Sequence, residues 1–188
     1  LAAPTTTYVF EPAPPAYGPS DTTAAPTAPG ASTTAGPSMV ALPVPEGYER
    51  VAGPGGLVTT VPKGWPITRS TGPGSMQATD PADPNRHVRY GGAFAPADDL
   101  LQSHVDYEAT FAATKRNFTR LSLGTTTYHG VLAVDWEFEH DVDGVRRHVH
   151  SMYWRINGVE YFIYASSTSD SWPRTLPIYH AMIDHVTP

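Results

Sequence analysis

The sequence of 188 residues contains no cysteine, which excludes disulfides, thiolate nucleophiles and cysteine-ligated zinc. It has no apolar run near the ~18–20 residues that a membrane-spanning helix needs. Its 12 Lys and Arg residues are scattered among 18 Asp and Glu, for a formal net charge of −6. Nucleic acid and anionic membrane surfaces both select clustered basic residues, so neither is expected as a main partner. Catalytic signatures are missing too. There is no Gly-x-Ser-x-Gly elbow, no His-Glu-x-x-His pair and no glycine loop that cradles phosphate and opens a helix. The glycine clusters at 53–56 and 72–74 sit between strands, as turns. Asp135, Glu137 and Glu139 run along one strand beside cationic partners, whereas paired carboxylates of glycoside chemistry face each other across a cleft. Neither an enzyme nor a cofactor is expected.

What is present divides in two. Residues 1–45 are Pro, Thr, Ala, Ser and Gly, with only Glu11 and Asp21 charged. Such a stretch cannot bury enough apolar surface to offset its ordering entropy, and it reads as an extended, semi-rigid linker or arm. One patch departs from that: Thr5, Thr6, Thr7, Tyr8, Val9 and Phe10 form a β-prone run suited to adding a strand to an exposed sheet edge. No signal peptide is visible and the chain begins at Leu1, so an anchor upstream of Leu1 is expected.

Residues 46–188 hold the apolar and aromatic content and are expected to form one α+β domain, an antiparallel sheet with helices packed on it. Its centre is the stretch 131–167, where three β-branched and aromatic runs are separated by Asp143-Gly144 and Asn157-Gly158, the dipeptides favoured in tight hairpins. Side chains alternate with period two. One face therefore carries Leu132, Val134, Trp136 and Phe138 against Val149, Ser151 and Tyr153, joined by Phe162 and Tyr164, as a core. The other sets Asp135, Glu137 and Glu139 against Arg146, His148 and His150, then turns apolar through Met152, Trp154, Tyr161 and Ile163. A second layer is expected over only the apolar half. Shorter strands are expected over 48–52, 57–61, 67–70, 75–79 and 87–94, and a longer one over 119–129. A helix is expected from Pro96 to about Arg116, with Lys115 and Arg116 near its end. A terminal helix is expected over about 176–186, after a loop containing Trp172-Pro173 and with Thr175 as N-cap.

Several segments together resemble a known family: Gly56-Leu57-Val58-x-x-Val61-Pro62-x-Gly64-Trp65, the mid-chain helix, and Gly130 followed by Ala133-x-Asp135-Trp136-Glu137-Phe138. Gly144-Val145-Arg146-Arg147-His148, Gly158 with Tyr161, and Trp172 before a terminal helix complete the pattern. Over residues 47–187 the chain is similar to the extracytoplasmic PsbP-like domains of actinobacteria. These stand behind Pro/Thr-rich linkers at the outer end of membrane-spanning Ser/Thr protein kinases, and in LpqN-type lipoproteins. The resemblance implies an α/β/α sandwich and a non-enzymatic role in the cell envelope.

Three functional readings follow. The first is a non-catalytic extracytoplasmic binding or sensor module, tethered by the Pro/Thr linker and recognising an envelope protein or ligand. If the apolar half of the second face lacks a covering layer, Trp154, Tyr161, Met152 and Ile163 form its binding surface. The second is a structural subunit of a surface assembly, whose arm residues Thr5, Thr7, Tyr8, Val9 and Phe10 dock on a neighbouring copy. The third takes His148 and His150, which share a face at i and i+2, with Glu137 across the ladder, as ligands for a divalent metal. The competing structural reading of these three is a solvated ladder of weak ion pairs.

Overall fold

The computed structural model describes residues 42–71, 74–95 and 97–188. The elements run β1 (Tyr48–Ala52), β2 (Val58–Pro62), β3 (Ile67–Arg69), β4 (Ser75–Thr79), β5 (His87–Phe94), α1 (Leu100–Thr114), β6 (Arg116–Tyr128), β7 (Val131–Val142), β8 (Val145–Ile156), β9 (Val159–Thr168) and α2 (Trp172–Asp184). β1 and β2 form a separate hairpin; the other seven strands make one sheet in the order β3-β4-β5-β9-β8-β7-β6. Every pairing is antiparallel. The meander expected from the sequence lies inside this sheet, between β5 and β6.

The register follows from the turns. Asp143 and Gly144 both have positive φ, as do Asn157 and Gly158, which is the mirror-image turn that matches the twist of flanking strands. Trp136 consequently stands opposite Ser151, Phe138 opposite Val149 and Val134 opposite Tyr153, the facing read from the alternation. His129 and Gly130 make a third such turn, so β6 joins the same meander. β6 starts at Arg116, three residues before the expected Thr119, because Asn117 at φ 51 and two register shifts against β7 absorb the extra length.

Helices cover both faces of the sheet. Phe111 of α1 packs with Trp136, Phe138, Val149, Tyr153, Phe162 and Tyr164. Trp172, Tyr179 and Met182 of α2, with Leu57, Val61 and Trp65 from the hairpin side, pack on Ala133, Met152, Trp154, Tyr161, Ile163 and Ala165. The result is the expected three-layered α/β/α arrangement.

The helix ends differ from the sequence expectation. α1 begins at Leu100, where the Asp99 carboxylate accepts from the Gln102 N–H at 2.7 Å, as N-cap side chains do; Pro96 lies outside the described residues. It stops at Thr114. Lys115 is the C-cap, its ammonium over the Phe111 ring at 4.6 Å, and Arg116 is already strand. α2 begins four residues earlier than expected, at Trp172, because Pro173 sits in the first turn, where its missing N–H costs nothing. Thr175 is therefore inside the helix. Its buried hydroxyl donates to Ser167 Oγ at 2.9 Å, lies 3.3 Å from the Ser171 carbonyl and accepts from Arg86 Nε at 3.0 Å.

Candidate functional site

The polar end of the α2 face is a closed network. Period two sets which side chains share this face, but the side chains then lean along the strands. His148 lies opposite Glu139, and its Nδ1 is 3.1 Å from Glu139 while its Nε2 is 2.7 Å from Glu137, one step away. His150 bonds diagonally to Asp135 at 2.8 Å. Arg146 donates to Glu139 at 3.0 Å and to Asp141 at 3.2 Å, and the Ser169 hydroxyl donates to Glu139 at 2.8 Å.

Helix α2 closes over the rings. His148 stacks on Trp172 with centroids 4.1 Å apart, and His150 stacks on Tyr179 at 4.3 Å. The expected half-cover is thus corrected: α2 spans the imidazole half as well as the apolar half, and the two rings are largely covered while the carboxylates of the ladder stay part-exposed. Burial, then the negative charges of Asp135 and other neighbours, hold the Tyr179 phenol well above its ordinary 10. Burial alone would raise the Glu139 carboxyl, but donation from Ser169, His148 and Arg146 outweighs it and the group lies below its ordinary 4.5.

This geometry is unsuited to a metal. His148, His150 and Glu137 do not converge, since the two rings are directed to different carboxylates and clamped against different aromatics. Among the described residues no group of three or more His, Asp or Glu side chains is disposed to hold a metal ion. The apolar half fares no better as a binding surface. Trp154 and Ile163 are fully buried and Met152 and Tyr161 nearly so, beneath α2 and the β1–β2 hairpin. The covering layer is present, and these four residues are core. The arm residues Thr5, Thr7, Tyr8, Val9 and Phe10 lie outside the described residues.

Three buried polar clamps had no signal in the sequence pattern. Glu108 of α1 accepts from Arg120 through both oxygens and from Trp136 Nε1 at 2.7 Å. His104 of α1, its ring against Tyr153 at 4.0 Å, meets Glu160 at 3.2 Å, and Glu160 also accepts from Arg155 at 2.7 Å. Arg86 ties Asp80 at 2.7 Å to Thr175 of α2. The partners are 12, 28, 56 and 89 residues apart, so no local motif announces them.

The second clamp has a pH signature. Burial pushes the Glu160 carboxyl up, but hydrogen bonds and charge from His104 and Arg155 outweigh that and set it below 4.5. A carboxyl depressed in the fold contributes stability that is present above its unfolded pKa and lost as pH falls through the folded one. Melting temperature is therefore expected to fall as pH drops below about 4.5, and the Glu160→Gln variant is expected to lose part of that acid-side slope. A slope unchanged by the substitution would rule Glu160 out as a source.

Similarity to known proteins agrees with the geometry. The fold matches the solution structure of cyanobacterial PsbP (CyanoP) from Synechocystis sp. PCC 6803, with a TM-score of 0.60 and 15% identity over 82% of this chain and 97% of that one. It also matches the crystal structure of LpqN, involved in cell envelope biogenesis of Mycobacterium tuberculosis, with a TM-score of 0.52 and 15% identity over 74% of this chain and 90% of that one. These likenesses establish the PsbP-like fold. No curated protein sequence matches the chain. The family described as the serine/threonine kinase C-terminal domain matches residues 49–188, from β1 to Pro188, and the chain belongs to that family.

Proposed function

We propose that the folded part is a non-catalytic binding or sensor module held outside the cytoplasm, and that the Pro/Thr-rich residues 1–45 are the linker that carries it away from an envelope anchor. One observation carries the reading: the matched family is the C-terminal domain of a kinase rather than its catalytic domain, and the match begins at residue 49, just after the Pro/Thr stretch ends. Two others support it. The polar clusters around His148, Glu108 and Glu160 join helices to sheet and are occupied by one another. LpqN, which shares the fold, is described as involved in cell envelope biogenesis. No helix of the described residues is long and apolar enough to cross a membrane.

The assembly reading has one feature in its favour. β6 is an outermost strand of 13 residues, and long open edges invite strand addition. Its two register shifts against β7 work the other way, since irregularities twist an edge out of line. The binding reading is therefore preferred, and both are tested together. Residues 46–188 are expected to be monomeric by light scattering, as is the full chain, and to co-sediment saturably with purified cell-wall sacculi or with membrane vesicles from the host, while residues 1–45 alone stay in solution. Absence of saturable co-sedimentation with either fraction overturns the binding reading. A full chain that alone assembles supports the subunit reading instead.

A further inference from the structure

Strand β6 ends the sheet, and no strand among the described residues pairs with its outer side. Its two register shifts fall between Arg116 and Thr119 and between Arg120 and Ser122, so that from Ser122 to Tyr128 the pairing with β7 runs unbroken. Open edges are ordinarily protected by proline, by charge or by a bulge. The segment Ser122–Tyr128 has none of these: it reads Ser-Leu-Gly-Thr-Thr-Thr-Tyr. Thr125, Thr126 and Thr127 are exposed, and threonine suits a strand.

The adjoining turn determines which backbone groups are open. His129 and Gly130, both at positive φ, make a two-residue hairpin turn, across which Tyr128 and Val131 exchange hydrogen bonds. Bonded and non-bonded pairs then alternate along an antiparallel ladder. Thr127 opposite Leu132, Thr125 opposite Val134 and Leu123 opposite Trp136 are the non-bonded pairs. Each of these three β6 residues therefore directs its N–H and its C=O away from β7, within the plane of the sheet. Donors and acceptors repeated at every second residue are the complement of another extended chain.

The side chains narrow what that chain is. Leu123, Thr125 and Thr127 lie on the α1 face, beside a core margin that is incompletely covered. Leu121, at the bulge, is 48% exposed and Leu132 is 56% exposed, while Leu123 and Tyr107 of α1 are only partly buried. A strand set about 4.8 Å beyond β6 would continue this core with alternate apolar side chains. The charges of β6 itself are Arg116 and Arg120, both basic and both near its start. Arg116 is exposed, and Arg120 keeps half of its side chain exposed while bonded to Glu108. In the antiparallel pairing that the whole sheet uses, the C-terminal end of an added strand meets these two arginines.

We propose that the open edge of β6, from Ser122 to Tyr128, is the site at which the module takes up an extended segment of another protein. The segment adds antiparallel, is apolar at alternate residues and is acidic toward its C-terminal end. The inference rests on the binding-module reading and assigns it a surface and a class of partner.

The probe is a phage-displayed library of random peptides about as long as β6, panned on the full chain. Enriched sequences are expected to alternate β-branched or aromatic residues with polar ones and to carry Asp or Glu in their C-terminal half. A synthetic peptide of enriched sequence, titrated into the isotopically labelled full chain, is expected to shift the amides of Leu123, Thr125 and Thr127 and to slow their hydrogen exchange. N-methylation of alternate peptide amides is expected to abolish binding in one phase and to leave it intact in the other, because only every second N–H faces β6. That comparison is made on an unaltered protein. Thr125→Pro removes an outward N–H at an edge position, where proline is tolerated, and is expected to weaken the peptide by about tenfold or more, the effect of one lost backbone hydrogen bond.

No enrichment, enriched sequences without the alternation and the acid, shifts centred elsewhere, or equal loss in both methylation phases overturns the proposal. So does protection of the three amides in the chain alone. Protection that grows with protein concentration would place a second copy on the edge, and protection independent of concentration would place the chain's own arm there. Co-sedimentation with sacculi or vesicles that is unchanged by Thr125→Pro sinks this proposal and leaves the binding reading standing, whereas its absence in the unaltered chain sinks the reading itself.

Discussion

Replacing Trp154 by alanine is expected to cost about 3–5 kcal/mol of folding stability, the range for large aromatic side chains removed from a packed interior. Trp154 is fully buried. Its indole lies between Tyr128 and Tyr161, with centroids 5.1 and 5.9 Å away, and its Nε1 donates to the Pro188 carbonyl at 3.1 Å. Removing it empties a space bounded by the sheet on one side and by α2 and the hairpin on the other, so collapse into the gap requires two layers to move together. The loss is a large share of the ~5–15 kcal/mol that stabilises an ordinary domain. The comparison that decides is Leu132→Ala. Leu132 is 56% exposed, and its truncation is expected to change stability by no more than ~0.5 kcal/mol. Urea denaturation of the two variants measures both. Equal, small effects would mean that the Trp154 side is an open surface and that α2 does not seal it.

Gly91→Ala is expected to be as damaging, for a different reason. Gly91 sits at φ 154, and a Cβ built on it would lie 1.9 Å from the Gly74 carbonyl oxygen and 3.0 Å from its carbon. The obstruction is backbone, which cannot rotate aside. Across the gap, a Cβ on Gly74, at φ 73, would meet the Gly92 oxygen at 2.4 Å, so the two chains approach within the thickness of a methyl group from either direction. Overlap and φ strain together are expected to cost about 2–6 kcal/mol. Relief would come from parting β4 from β5 at the Ser75–Gly91 register position. Hydrogen exchange of β4 amides should therefore accelerate far more than that of β7 or β8. Uniform acceleration across the sheet would show that the strain is shared rather than local.

Much of this fold is legible in the residues, and the reason differs from place to place. The Trp136–Phe138 face can be read because Asp143-Gly144 and Asn157-Gly158 fix the turns, and a turn fixes the parity of everything after it. The start of α2 cannot, because Trp172-Pro173 reads as a loop on local propensity. It becomes helix only because Trp172 is needed against His148 and Pro173 falls where no N–H is required. Alternation places His148, His150 and Glu137 on one face but is silent on rotamers, and the rotamers separate the two rings onto different carboxylates. Glu108 lies in the middle of an otherwise ordinary helix pattern. Its role depends on Trp136, 28 residues away, a distance at which sequence patterning carries no information about contact.

The two cores also differ in when they can exist. The α1-side core draws on residues 107–164, from Tyr107 to Tyr164, a continuous stretch that holds everything it needs. The α2-side core combines Leu57 and Val61 with Met182 and Val186, and Val58 and Thr187 close it through reciprocal backbone bonds of 2.7 and 2.8 Å. During synthesis from the N-terminus, the first hairpin must therefore wait, with its apolar side uncovered, until residues 182–187 have left the ribosome. The α1 core can condense first, and the final helix then completes a structure whose opening strands were made more than a hundred residues earlier. Contacts of such long sequence separation close late, so a truncation at the C-terminus would expose the beginning of the fold rather than its end.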